Sequence, residues 1–379
     1  MSKKRGHNEG SITKRKDGRW QGAVTVGRNS DGSQKRQYVY GKTRYEVAQK
    51  VNELVHSLNT GDFIDKSKNP TVADWLPYWL DTYKKNNIKP KTFDQYEGVV
   101  RYHIIPQFGD VRLIDLKEDM LQKFYNKLSE DGLSARTIHI INTVLHASLK
   151  KAMKLGLVRN NVTEDISLPK KAPKERRVLT RKEQEMLLDE LKKDDLGAMY
   201  IVALFTGMRR GEVLALTWED IDFDSVTIRI NKTLSRVKTH DGTEKKTKLA
   251  ISEPKTEKSK RTIPIVDSLI PLLEKQKKRA NNNNKFNLVF PSESGGYIDP
   301  GNYNRHFYKI IERTGIPRAN PHALRHSFAT RALETGIDIK VLQEVLGHNS
   351  IDITMDIYAH VLTEHKRKEL KKLKSVFRL

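Results

Sequence analysis

Four separated stretches carry residue types that could do chemistry together. The first, "HALRH" (322–326), sets His322 and Arg325 three residues apart, which a helix would place on one face. Asn320 reads as the N-cap and Pro321 as the first helical residue. Both side chains then fall near a helix N-terminus, where free N–H groups and the dipole attract anions. Half a metal site, an ordinary basic helix and one wall of a phosphate pocket are competing readings. A zinc-protease helix carries Glu after its first His, but here Ala323 stands there and no third ligand is near. His326 is then a packing residue or an outer support.

The second stretch is "TGMRRGE" (206–212), which embeds Arg209 between apolar segments. An arginine so placed is costly unless it is paired or holds an anion, and an Arg209–Glu212 pair is the structural alternative. The third, "EPKTEKSKRTIPI" (253–265), offers Lys255, Lys258, Lys260 and Arg261. Most of these must be solvated, but Lys255 stands directly before a Thr-x-x-Ser turn that would fix it. The fourth, "LGHNSIDITMDIYAH" (346–360), puts His348 ten positions before Tyr358. Its phenol is either a nucleophile or one more aromatic.

These stretches sit in a chain of 379 residues, long enough for two or three domains of roughly 150 residues. Lys and Arg number 70 against 47 Asp and Glu, a formal charge of +23. A charge of that size points to a polyanionic partner, most commonly nucleic acid. No apolar run approaches the ~18 residues of a spanning helix, and the N-terminus lacks the apolar core of a signal peptide. With no cysteine there is no disulfide, thiolate metal site or cysteine nucleophile. The expectation is a soluble intracellular protein on DNA, with no membrane partner.

The patterning gives a multidomain, mainly helical fold with small β elements. Residues 1–58 read as a small β-sheet plus a helix. "RWQGAVTVGR" alternates with Trp20, Val24 and Val26 on one face, and "QKRQYVYGK" follows a turn. Thr43 then caps a helix with Glu46 three residues on, and Val47, Val51, Leu54, Val55 and Leu58 form its stripe. The first fifty residues hold thirteen Lys/Arg and four Asp/Glu. The sheet carries Lys14, Arg15, Arg19, Lys35, Arg36, Tyr38 and Tyr40, which could lie in a DNA groove or form a solvated basic tail. Residues 59–70 read as a linker, and 71–168 as a bundle of four helices punctuated by Gly109, Gly132 and Gly156. Residues 169–179 are a second linker. Residues 180–379 mix α and β: helices over 180–193 and 196–216, strands at "SVTIRINKTL" and "RTIPIV" with a basic hairpin or loop between, then helices to a C-terminal tail.

The order Arg, Lys, His-x-x-Arg, His, Tyr across 209–358 resembles the tyrosine recombinases, the integrases of phages and conjugative transposons. The resemblance implies an arm-site DNA module at 1–58, a SAM-like core-binding domain at 71–168 and a catalytic domain at 180–379. It implies that Arg209 and Arg325 hold the non-bridging oxygens of a scissile phosphate and that Tyr358 attacks the phosphorus, leaving a 3′-phosphotyrosyl link. Lys255 would protonate the departing 5′-oxygen, His322 would exchange a proton with the tyrosine, His348 would donate to the phosphate, and Glu212 would orient its surroundings. No cofactor or metal is expected, and no GK[ST] loop for ATP is present. The implied partners are core and arm sites on duplex DNA, three further copies in a synaptic tetramer, an excisionase and a host DNA-bending protein, in the nucleoid of a bacterial cytoplasm. Two rivals remain: a type IB topoisomerase-like relaxing enzyme, and a non-catalytic DNA-binding regulator with the same fold.

Overall fold

The computed structural model of the chain describes residues 10–28, 31–60, 64, 68–171, 177–239, 246–253, 260–279, 284–347 and 355. The chain divides into two compact units, Met1–Ala172 and Pro173–Leu379.

The first unit opens with an antiparallel sheet of β1 (Ser11–Lys14), β2 (Trp20–Arg28) and β3 (Gln34–Gly41). Helix α1 (Arg44–Asn59) lies on it, burying Val47 and Val51 against Val24. Gly22 lets the helix come this close: a Cβ there would stand 2.3 Å from Val51 Cγ2. The Thr43 hydroxyl accepts the Glu46 N–H at 3.2 Å. The Glu46 carboxylate reaches past Thr43 to the Lys42 N–H at 2.9 Å, so the expected reciprocal cap is displaced by one residue. Val26 does not join Val24 in the buried cluster. The register shifts between Thr25 and Gly27, which makes Val26 the extra residue of a bulge and ends the alternation there.

The remainder of this unit is helical: α2 (Val72–Trp79), α3 (Pro90–Val99), the single turn α4 (Ile105–Phe108), α5 (Glu118–Glu130) and α6 (Ala135–Lys154). Thr71 and Asp74 cap α2 reciprocally. Trp75, Trp79, Leu121, Tyr125, Ile141 and Leu145 lie in one buried cluster. Helix α3 continues into a wider turn, in which the Ile105 N–H bonds to the Val100 carbonyl five residues back. Pro106 follows at once. Its ring would crowd the carbonyl four residues before it, and loosening the preceding turn relieves that clash.

The second unit begins with α7 (Arg181–Lys193), α8 (Gly197–Thr206) and the short α9 (Arg210–Val213). A three-stranded antiparallel sheet follows, of order β4 (Ile221–Asp222), β5 (Thr227–Ile230), β8 (Arg261–Pro264). A separate ribbon pairs β6 (Thr233–Lys238) with β7 (Thr247–Ser252). Helices α10 (Ile270–Lys278), α11 (Pro300–Thr314), α12 (His322–Glu334) and α13 (Ile339–Leu346) complete it. Buried on most sides, α8 packs against both α7 and α12.

Two sequence expectations need correcting. The helix expected over 196–216 is broken, because Gly207 takes the left-handed conformation (φ +63°) and ends α8. The strand expected through "SVTIRINKTL" is two strands in different sheets, separated at Asn231 and Lys232. Among the described residues, no helix is long and apolar enough to cross a membrane.

Candidate active site

The break after α8 has a chemical consequence. Gly207 turns the chain so that Arg209 sits in extended backbone just ahead of α9, and Glu212 then lies inside the first turn of that helix. The Glu212 carboxylate reaches back to accept the Arg209 N–H at 2.9 Å and donation from Arg209 Nη1 at 2.8 Å. Gly211, between them, faces β6 too closely for any side chain: a Cβ would fall 2.4 Å from Thr233 Oγ1.

Helix α12 brings Arg325 to the same place. The helix begins one residue later than the sequence suggests, with Pro321 at the N-cap position, while Asn320 Oδ1 still accepts the His322 N–H at 2.9 Å. Arg325 lies one turn in and is 4% exposed. Its Nη1 donates to the Gly207 carbonyl and its Nη2 to the Leu346 carbonyl, each at 2.7 Å. The helix is also anchored from behind: Ser327 Oγ accepts the Leu179 N–H at 2.8 Å, and Arg331 Nη2 donates to the Leu179 carbonyl at 2.7 Å.

A third guanidinium completes the cluster. Arg261, the first residue of β8, donates through Nη1 and Nη2 to the two oxygens of Glu212 at 3.2 and 2.8 Å, and through Nε to the Val345 carbonyl at 2.6 Å. Arg209 Nη2 donates to the Gly347 carbonyl at 2.9 Å. Three consecutive carbonyls at the end of α13 therefore each receive a different arginine. Helix C-termini carry unsatisfied carbonyls and the negative end of the dipole, which suits cations.

The electrostatics follow from this packing. Burial alone would raise the Glu212 carboxyl, but hydrogen bonds and charge from Arg261, then the charge of Arg209, overcome it and hold the group down at about 2. Arg325 is pushed down to about 9, first by burial and then by the charge of Arg209, with Glu212 opposing. It remains cationic at neutral pH. Three guanidiniums against one carboxylate leave an excess of positive charge, and Arg209 keeps 36% of its side chain exposed. Of the three, Arg209 is the one open to solvent, and an anion can approach the cluster there.

Of the site residues expected from sequence, the fold brings Arg209, Glu212 and Arg325 together. His322 stands one turn before Arg325, exposed, its ring stacked on His326 at 5.6 Å between centroids. Lys255, His348 and Tyr358 lie outside the described residues. Among the described residues, no three His, Asp or Glu side chains gather as metal ligands. Sequence reasoning named Arg261 only as part of a basic run. The signal that could have found it is the one used for Arg209: an arginine abutting an apolar strand needs a buried anion, and Glu212 was the acid at hand.

In the small sheet, Arg36, Tyr38 and Tyr40 alternate onto the surface opposite Val39, and Arg15 lies over the Tyr40 ring at 5.4 Å. Lys14 pairs with Trp20, and Lys35 with Gly27 in the register, so both fall on the other side of the alternation. Arg19 is exposed in the β1–β2 turn, where Asp17 pairs with it at 3.2 Å.

Comparison with known proteins identifies the architecture. Residues 177–365 match the Phage integrase family, and residues 71–129 match the "Phage integrase, N-terminal SAM-like domain". A tyrosine recombinase XerC-like protein of Caldanaerobacter subterraneus subsp. tengcongensis is 33% identical, over 93% of this chain and 95% of that one. The transposase from transposon Tn916 of Enterococcus faecalis is 26% identical, over 98% of this chain and 97% of that protein. Among solved structures, the Tn1549 transposon integrase in complex with a circular intermediate DNA superposes with a TM-score of 0.69 at 23% identity, covering 80% of this chain and 99% of that one. A lambda integrase dimer on a core site gives 0.58 at 18% identity, covering 93% and 96%.

Proposed function

The chain belongs to the tyrosine recombinases of the phage integrase family, and from that premise we propose how its residues cut and rejoin DNA. It is a site-specific DNA recombinase that acts on a mobile element's duplex. Arg209 and Arg325 grip the non-bridging oxygens of the scissile phosphate, two planar forks, both cationic at neutral pH, against a tetrahedral anion. Tyr358 attacks the phosphorus and expels the 5′-oxygen, which takes its proton from Lys255. His322 accepts and later returns the tyrosine proton, and His348 donates a hydrogen bond to the phosphate. Rejoining reverses the exchange, so the phosphodiester energy is conserved in the phosphotyrosyl bond.

The observation that carries this reading is the convergence of Arg209, Arg325 and Glu212 at the α13 C-terminus, directly before the segment that bears His348 and Tyr358. Phosphoryl transfer needs chiefly positioning and stabilised charge, and this cluster offers both. In the same proposal, residues 1–58 choose arm sites, 71–168 embrace the core site, and 180–379 cut, with linkers at 59–70 and 169–179. Four copies assemble on two sites, and an excisionase and a host DNA-bending protein set direction. The working place is the nucleoid of a bacterial cytoplasm.

The test uses a plasmid carrying the two attachment sites, found from the DNA that flanks the gene. The expected product is the excised circle and the resealed plasmid, formed in EDTA and without ATP. Relaxation of any supercoiled plasmid with no exchange between sites would favour a topoisomerase-like enzyme instead.

A further inference from the structure

Arg261 is the residue of the cluster that the proposed chemistry leaves without a task. It is also the most deeply set partner of Glu212, with 5% of its side chain exposed. We infer that Arg261 is a positioning residue for strand cleavage: it neutralises Glu212 so that the charge of Arg209 stays available to the phosphate. This rests on the recombinase reading above.

The geometry supplies the argument. Glu212 accepts four hydrogen bonds, two from Arg209 and two from Arg261. A carboxylate beside Arg209 would otherwise cancel much of its charge and compete with the substrate phosphate for its N–H groups. Arg261 takes one lone pair on each carboxylate oxygen, in the two-pronged alignment that only a guanidinium offers. The remaining prong, Nε, fixes the Val345 carbonyl at 2.6 Å. Gly347 accommodates the same side chain: a Cβ there would lie 3.1 Å from Arg261 Nη1. Arg261 thereby links the strand β8, the Glu212 turn and the end of α13. Its three donor nitrogens all point at protein oxygens, and with 5% of its side chain exposed it acts through Glu212 rather than at the surface that Arg209 presents.

The charge of the substrate separates this role from a merely architectural one. A methylphosphonate at the scissile position removes one negative oxygen, so a defect caused by missing positive charge must shrink on it. The full-length protein is tested as Arg261→Gln and Arg261→Lys on a nicked duplex bearing the core site, with the rate of covalent adduct and the core-site affinity both measured. Arg261→Gln is expected to slow adduct formation roughly 10–100-fold, the usual cost of losing a residue that orients a reacting group's ligand, with core-site affinity retained. That deficit contracts on the methylphosphonate duplex, and Arg261→Lys, which keeps the charge and loses the fork, falls between wild type and Gln. If Arg261→Gln fails to fold, the Lys variant alone carries the comparison of the two duplexes. An equal deficit on both duplexes, or none on either, overturns the inference. A wild-type protein that forms no adduct on either duplex would instead overturn the recombinase reading itself.

Discussion

Glu212 accepts hydrogen bonds from two arginines while only 3% of its side chain meets water, and its acid–base behaviour should register in stability. Its folded value, about 2, lies below the ordinary 4.5. A depressed carboxyl contributes stability that is fully present above 4.5 and is lost as pH falls through 2. The gap corresponds to about 3 kcal/mol at neutral pH. Urea melts should therefore show Glu212→Gln less stable than wild type at pH 7 by about that amount, with the two curves converging between pH 4.5 and 2. A difference that stays constant over this range would mean that Glu212 is not held ionised by its arginines. Arg325 permits a second test. Arg325→Lys keeps a cation but cannot meet Gly207 and Leu346 at once, so adduct formation should fall by about 10²–10³-fold with DNA binding retained. An unchanged rate would remove Arg325 from the phosphate site. Arg209 and its pairing with Glu212 were legible in the sequence because charge set among apolar residues needs a reason, and Arg325 because it falls three residues after His322 near a helix start. Arg261 was not, because in "KSKRTIPI" it reads as the last of a solvated run. Its place beside Glu212 comes from a strand pairing that no local pattern encodes.

At the scale of elements, the site depends on where α8 stops. The sequence pattern 196–216 keeps helical spacing straight through "TGMRRGE", so periodicity alone reads one helix. The break comes from tertiary packing around Gly207, whose carbonyl accepts from Arg325 and whose missing side chain leaves room for Phe328 and Leu346. A Cβ there would sit 2.5 Å from Phe328 Cδ1 in a left-handed backbone. Gly207→Ala should therefore cost at least about 1–2 kcal/mol from the backbone alone, and should slow cleavage by moving the Arg325 anchor. Denaturant melts with stability unaltered would show that the turn tolerates a side chain and does not set the site. Elements with strong local signals were easier to read: the cap at Thr43, the α1 stripe, and the helical spacing of 71–168. The bulge at Val26 and the division of "SVTIRINKTL" between two sheets depend on partners far along the chain.

For the whole molecule, the charge distribution makes a quantitative claim. The first fifty residues contribute thirteen basic and four acidic side chains of the total, and Arg36, Tyr38 and Tyr40 share one open face of the sheet. A protein beginning near Thr71 should still form the covalent adduct on a core duplex. Its log–log salt dependence on long DNA should be shallower, by roughly 0.9 for each phosphate contact removed. An unchanged slope would assign the small sheet to protein contacts instead. The family was legible from motif order, and the chain belongs to it. The proposed nucleophile at 358 rests on motif order and on the arginine cluster that precedes it in the chain. If this cluster serves a tyrosine nucleophile at position 358, the covalent ester must form on that residue. The full-length protein is incubated with a nicked core-site duplex that traps the cleaved strand, and the adduct is digested and mapped by mass spectrometry. A 3′-phosphate ester on Tyr358 is expected, and a Tyr358→Phe protein should bind the duplex normally yet yield no adduct. An adduct on another residue, or an undiminished adduct with Tyr358→Phe, would contradict it.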